Sequence, residues 1–282
     1  MDVVPAMYAE PQAHGSVEVA VDDLTDPRLV DAGVPEARQA AQAARQAEEE
    51  SHESGGDADE STPEVTSAAR KVTVTGRKIL DDVTWLIGPG DRFGIVGANG
   101  AGKSTLLSLI CADNPQSYAQ DIALFGRQRG SGESIWDIKK HIGYVSPEMH
   151  RSYIKNIPAI DIVASGFFDS IGLYLTPNDD QRAVCEEWLK TFEMGGLRDK
   201  SFVKLSSGEQ RLLLLARAFV KDPDLLILDE PLHGLDCYNK ERARAVIEAF
   251  CRRPDKTMIY VTHYERELPR CVDKKMVLQK HA

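Results

Sequence analysis

Apolar residues recur in two rhythms along the chain, and each change of rhythm marks an element. Over residues 178–194, Val184, Trp188 and Phe192 fall four apart among polar residues. That spacing predicts an amphipathic helix, with Asp179 and Asp180 in its first turn and Gly195-Gly196 closing it. Similar patterns predict helices over 209–221, stopped by Asp222-Pro223, and over 239–252. The unbroken run LLIL at 225–228 is too short for a helix and suits a central parallel strand buried on both faces. Residues 71–75, 79–88, 92–96 and 257–262 also read as strands, the second ending in a Gly88-Pro89-Gly90-Asp91 turn. Leu106, Leu107, Leu109 and Ile110 predict a further helix, separated from strand 92–96 by a glycine-rich loop. Strands alternating with helices imply an α/β fold built on a mostly parallel sheet.

Composition divides the chain. The net charge is −10, yet residues 1–66 hold 16 acidic and 3 basic side chains, leaving 28 acidic and 31 basic for residues 67–282. With Tyr8 as its one aromatic residue, the front end cannot bury enough apolar surface to offset ordering entropy and reads as an acidic, disordered tail. Within it, residues 35–50 (PEARQAAQAARQAEEE) have helix formers but almost no hydrophobic face. The remainder, residues 67–282, reads as a single domain. It shows no dense basic stripe, so charge does not favour nucleic acid. Five scattered cysteines with no C-x-x-C pair argue against a disulfide framework and against zinc, and suit a reducing cytosol; all five read as small buried hydrophobes. No apolar run has membrane-spanning length, and no secretory leader is expected.

The chemistry begins at residues 97–104, GANGAGKS, which fit G-x-x-x-x-G-K-[ST] in full. Gly97, Gly100 and Gly102, with Ala98, Asn99 and Ala101 between them, let successive N–H groups turn inward at a helix N-terminus and cradle an anion. Lys103 then reaches the β- and γ-phosphates and the Ser104 hydroxyl holds Mg²⁺, with Thr105 next in the loop. A plain glycine-rich turn would not bring Lys-Ser-Thr and a preceding strand with it. The residues themselves therefore point to nucleoside triphosphate binding.

Two further motifs extend the site. LLILDE at 225–230 delivers carboxylates to the C-terminal edge of the sheet. Asp229 is placed to hold the Mg²⁺ shell and Glu230 to deprotonate an attacking water. LSSGEQ at 205–210 sets the Ser206 hydroxyl and Gly208 N–H at another helix N-terminus, a second anion site that is also an ordinary capping arrangement.

These motifs are where the sequence resembles the ATP-binding-cassette (ABC) ATPases. GANGAGKS resembles their Walker A, LLILDE their Walker B and LSSGEQ their signature motif. Gly234-Leu235-Asp236 resembles the D-loop and Thr262-His263 the switch histidine that contacts γ-phosphate. The resemblance implies a P-loop NTPase with a parallel core sheet, an antiparallel β subdomain and a helical subdomain over about 148–210. It also implies Mg²⁺-dependent ATP hydrolysis by Glu230, His263 and Lys103. ATP would be shared head to tail with a second cassette, Ser206, Gly208 and Asp236 serving the neighbour's nucleotide, and a second copy of this chain would fill that place. Two positions depart from the family pattern. Residues 72–79 lack the aromatic residue that stacks on adenine, and Pro147, followed by Glu148, stands where the Q-loop glutamine is expected.

From about residue 106 onward the chain resembles the molybdenum-transport, ModF-like branch, whose members often carry two cassettes, this chain resembling the second. ALFGRQRGSGESIWDIKKHIGYVS, SGFFDSIGLY and LLILDEPLHGLD carry that resemblance, and the branch also lacks the Q-loop glutamine. Residues 79–107 instead resemble actinobacterial ABC-F proteins, soluble tandem cassettes that act on ribosomes. A junction near 103–107, where both groups share sequence, would make the chain a fusion. The first branch implies an energising subunit for transport, with molybdate as a candidate cargo, cytoplasmic or peripheral at the inner membrane face through a membrane-spanning partner. The other implies a ribosome-associated ATPase. A nucleotide-binding module that hydrolyses poorly is the third reading the departures leave open.

Overall fold

The computed structural model describes residues 65–74, 77–111, 113–132 and 134–279. The acidic front end, apart from residues 65 and 66, and the helix expected over 35–50 lie outside the described residues. The chain runs β1 (Val65–Val74), β2 (Arg77–Ile87), β3 (Arg92–Gly97), α1 (Lys103–Ile110), β4 (Asp121–Leu124), β5 (Arg127–Gln128), α2 (Ile135–Lys139), β6 (Ile142–Val145) and α3 (Pro147–Ser152). It continues through α4 (Ala159–Ala164), α5 (Asp179–Thr191), α6 (Ser207–Phe219), β7 (Leu225–Asp229), α7 (Cys237–Cys251), β8 (Thr257–Thr262) and β9 (Lys274–Leu278).

Five strands form a parallel sheet in the order β6-β7-β8-β3-β9. β7 is buried along its whole length, and alternate residues serve opposite sides. Leu226 and Leu228 join one apolar cluster, with Met258 and Tyr260 of β8. Leu225 and Ile227 join the other, with Ile259 and Val261. The unbroken apolar run is thus explained by a strand with helices on both faces. β2-β1-β4-β5 form a separate antiparallel sheet, and its Trp85 packs edge-on against Phe93 of the core at 5.0 Å.

The helical portion hangs from α5 and α6. Asn178 and Gln181 form a reciprocal capping box at the start of α5, and Val184, Trp188 and Phe192 are all buried as their spacing predicts. Trp188 stacks on Phe219 of α6 at 5.2 Å, and Phe219 meets Phe250 of α7 edge-on at 5.6 Å, joining this portion to the layer under the sheet. Arg217, the charge within the greasiest stretch of sequence, is buried on α6. Its Nε donates to Ser165 Oγ at 3.1 Å and its Nη2 to the Ser170 carbonyl at 3.1 Å.

Several boundaries differ from expectation. β1 begins at Val65, ahead of the strand expected from 71 and of the domain start expected at 67. Its first residues (VTSAAR) are too polar and small to announce a strand, and they are held by antiparallel pairing to β2 and β4. α1 starts at Lys103 rather than at the apolar residues from 106, because the phosphate-loop Lys and Ser occupy its own first turn. Two cysteines depart from burial: Cys237 is exposed and Cys271 half-buried, while Cys111, Cys185 and Cys251 are buried. Among the described residues no helix is long and apolar enough to cross a membrane.

Candidate active site

Parallel strands end at one edge, and the sheet order sets the neighbours there. Asp229 of β7 pairs with Val261 of β8, and Thr262 of β8 pairs with Val96 of β3. Glu230 and His263, just past their strands, and Gly97, the last residue of β3, are therefore brought side by side from positions far apart in sequence.

Gly97 closes β3 where a Cβ would lie 2.6 Å from the Leu278 carbonyl oxygen, so only glycine fits between β3 and β9. Gly100 (φ 81°) and Gly102 (φ 91°) adopt left-handed backbone that other residues reach only with strain. Between them the loop exposes Ala98, Asn99 and Gly100 and buries Ala101 before α1 begins. Ser104 is exposed and Thr105 half-buried in the first turn of that helix.

Lys103 is buried, and its Nζ donates to the Gly97 carbonyl at 2.5 Å and the Ala98 carbonyl at 3.2 Å. It also lies 3.0 Å from His263 Nδ1. Burial lowers its pKa, opposed by the nearby charges of Glu230 and Asp229. On its other side, His263 Nε2 contacts a Glu230 carboxylate oxygen closely. Nε2–H donates to the carboxylate, and Nδ1 sits between the ammonium and the Gly97 carbonyl, 3.2 Å away, so that its role follows the ring tautomer. Lys103, His263 and Glu230 thus form a continuous chain of polar contacts.

Asp229 is buried at the end of β7, and burial together with the Glu230 charge pushes its carboxyl up to about 6. The exposed Glu148 adds to that push, which places its charge within reach of the same site. Glu148 follows Pro147 in the first turn of α3, where Ser146 caps the Met149 N–H at 3.1 Å. A proline is at ease there because a first-turn N–H has no helical partner to lose. Glu230 itself holds a left-handed backbone (φ 51°), fixed by its N–H donating to the Val261 carbonyl at 2.9 Å.

An ATP–Mg²⁺ complex suits this donor set. A concave loop of backbone N–H groups and a lysine suit phosphates, and a serine hydroxyl with a buried carboxylate offers the hard oxygen ligands Mg²⁺ prefers. Among the described residues no cluster of three or more His, Cys, Asp or Glu side chains could hold a metal by itself, so a cation here would be shared with phosphate oxygens.

Ser206 and Gly208 stand at the N-terminus of α6 and Asp236 at that of α7, with Gly208 beside Leu235. Ser206 caps α6 in a reciprocal box with Glu209, accepting from its N–H at 3.3 Å and donating its own N–H to the carboxylate at 2.6 Å. Ser206 and Ser207 are exposed and Gly208 is half-buried, its Cα facing Leu235. Asp236 caps α7 through the Asn239 N–H at 2.9 Å, which lowers its carboxyl pKa. Arg211, which the sequence motifs did not single out, lies beside Gly234 and within the field of Glu230. The signal available in sequence was its place one helical turn beyond Ser207, on the same face of α6. The side chains of residues 72–79 lie outside what the structure describes, and with them the question of a base-stacking residue.

Residues 80–233 match a family profile described as ABC transporter. The ABC transporter ATP-binding protein ModF of Escherichia coli is 45% identical over 201 residues, which are 71% of this chain and 41% of that protein. The chain therefore spans about two fifths of the length of that relative. An uncharacterized ABC transporter ATP-binding protein of Lactococcus lactis, YmeB, is 34% identical over 68% of this chain and 74% of its own length. Among solved structures, the dimeric post-hydrolysis state of an ATP-binding cassette bound to ADP and Pi superposes with a TM-score of 0.64 at 21% identity, covering 78% of this chain and 96% of that one. At that identity the likeness is one of fold.

Proposed function

This chain belongs to the ABC transporter family of ATP-binding cassettes, and from that premise we propose that it hydrolyses ATP as one half of a head-to-tail dimer that energises a transport partner. The observation that carries the reading is the sheet edge where Lys103, His263 and Glu230 touch in sequence beside Asp229.

Each residue has a role that its surroundings support. The loop from Gly97 to Gly102 holds phosphate oxygens through backbone N–H groups. Lys103 exchanges its carbonyl partners, Gly97 and Ala98, for the β- and γ-phosphates. That exchange frees His263 to turn a ring N–H toward the γ-phosphate from the adjoining strand. Ser104 and Asp229 hold Mg²⁺, which when bound supplies charge neutralisation to the phosphates. Glu230, aimed by its fixed backbone, takes the proton from an attacking water. Exposed Ser206 and half-buried Gly208, at the start of α6, serve the partner cassette's nucleotide, with Asp236 alongside. The uncovered turn that carries them is the physical reason for a second copy.

Coupling to a membrane-spanning partner rests on family membership, and molybdate as cargo rests on sequence resemblance alone. Equilibrium binding of a fluorescent ATP analogue, with phosphate release in parallel, tests the site. Lys103→Ala should lose binding. Glu230→Gln should bind as well as the parent while its turnover falls by about 10²–10⁴. Parent-like turnover in Glu230→Gln would overturn the assignment of the base.

A further inference from the structure

α3 starts from the nucleotide edge because of its place in the sheet. β6 runs parallel to β7 with Val145 opposite Leu228, so the chain turns from β6 into α3 where β7 ends in Asp229. From there polar contacts tie α3 to α6 along its length. Arg217 Nη1 of α6 donates to Met149 Sδ at 3.6 Å. Ser165 gives its own proton to the Ile162 carbonyl at 2.6 Å. Its Oγ therefore accepts from the Tyr153 hydroxyl, at the end of α3, at 2.7 Å, as it does from Arg217.

Between these two ties, His150 Nε2 lies 3.0 Å from Gln210 Oε1. The Gln210 amide nitrogen donates to the Phe202 carbonyl at 2.9 Å, so its oxygen faces the ring and can only accept. His150 Nε2 therefore carries the proton. Burial lowers the His150 pKa and the Gln210 bond only partly opposes it, so the ring is neutral near physiological pH. Gln210 in turn belongs to the LSSGEQ turn: its N–H donates to the carbonyl of exposed Ser206 at 2.9 Å.

We infer that His150 is a positioning residue joining the two half-sites of one chain: its bond to Gln210 fixes the Ser206 turn, which serves the neighbour's nucleotide, to the edge that holds the chain's own. This role rests on the shared-site reading of Ser206. Bound nucleotide restrains the strand ends at that edge, and α3 is restrained with them. The His150–Gln210 bond carries the restraint across to α6, whose first turn then opens less often to solvent. Without the bond, Met149 and Tyr153 still hold α3 to α6. The fold persists, but the Ser206 turn opens regardless of what the chain's own site holds.

The test uses the full chain and its His150→Ala, His150→Gln and Gln210→Ala variants, each dilute enough to be monomeric by sedimentation. Amide hydrogen exchange of the peptide spanning residues 205–212 is read by mass spectrometry with and without the non-hydrolysable analogue AMP-PNP and Mg²⁺. Analogue affinity, Tm and ATP turnover are measured in parallel. Exchange at the Ser206 turn of the parent slows several-fold on binding. His150→Ala and Gln210→Ala, which break the same bond from opposite sides, bind the analogue as the parent does yet show no slowing, and their kcat falls at parent KM. His150→Gln, whose amide N–H takes the place of the ring N–H, restores both. Slowing that survives in His150→Ala, or that is absent from the parent, would overturn the link. A loss that His150→Gln leaves unrestored would assign the effect to packing and overturn the role of the hydrogen bond. The exchange arm needs binding and no hydrolysis, so a parent that slows without turnover would overturn the ATPase reading and leave the link established.

Discussion

Burial at the end of β7, with Glu230 beside it, moves the Asp229 carboxyl from 3.8 to about 6. The folded chain therefore holds this proton more tightly than the unfolded chain does. The resulting stabilisation is fully present below about pH 4 and is lost as pH rises through about 6. A rise of that size is worth at most about 3 kcal/mol. Asp229→Asn keeps the shape without the charge, so without nucleotide or Mg²⁺ it should unfold at higher urea than the parent near pH ~7.5, by about 1–3 kcal/mol, the gap narrowing toward pH ~5. Urea titrations at both values check this; a gap that stays constant with pH would mean that Asp229 is not held against its charge. A group so held gains by meeting a cation, which is why this carboxylate suits the Mg²⁺ role better than the less buried Glu230. The phosphate loop, Asp229, Glu230 and His263 were legible in sequence because each sits in a short contiguous motif. Glu148 was legible only by its place beside the Q-loop position, and Arg211 was not, since tertiary packing alone brings it to the site.

At the scale of elements, α6 combines two duties at one end. Its Ser206–Glu209 capping box satisfies N–H groups of the helix itself, and the same exposed turn is the proposed contact with a neighbour's nucleotide. The duties can be separated by substitution. Ser206→Ala loses the cap, about 1 kcal/mol, which for a domain of this size lowers Tm by roughly 2–4 °C. Ser206→Asp keeps an equivalent cap and melts near the parent, yet sets a negative charge against phosphate, so ATP-driven association should fail. Thermal melts with sedimentation in the presence of ATP distinguish these outcomes; an Asp variant that still associates would remove Ser206 from the proposed interface. Element boundaries were legible where apolar periodicity was strong, as in α5 and β8, whose span of Thr257–Thr262 matched its expectation. They were obscure where pairing rather than burial defines the strand. β1 opens on VTSAAR, β5 is Arg127–Gln128, and β9 starts with exposed Lys274 and Lys275, so none shows an apolar rhythm.

For the whole molecule, the proposed dimer divides each site between two clusters of functional residues. Lys103, Asp229, Glu230 and His263 gather at the sheet edge, whereas Ser206, Gly208 and Asp236 face outward from α6 and α7. In that proposed dimer one chain supplies half of each of two sites, and activity should depend on association. The alternation of strands and helices made the parallel sheet readable, and the motif order made the cassette readable. The meeting of Arg270 with Glu248 was hidden because a contact across 22 residues leaves no periodic trace. A working site shared between two copies should show in steady-state ATP turnover against chain concentration, with Glu230→Gln in parallel and oligomeric state measured at each point. A shared site gives turnover per chain that rises as dimer forms and falls by about 10²–10⁴ in the Glu230→Gln protein. Turnover per chain that stays constant where the protein is monomeric, or that persists in Glu230→Gln, would contradict it.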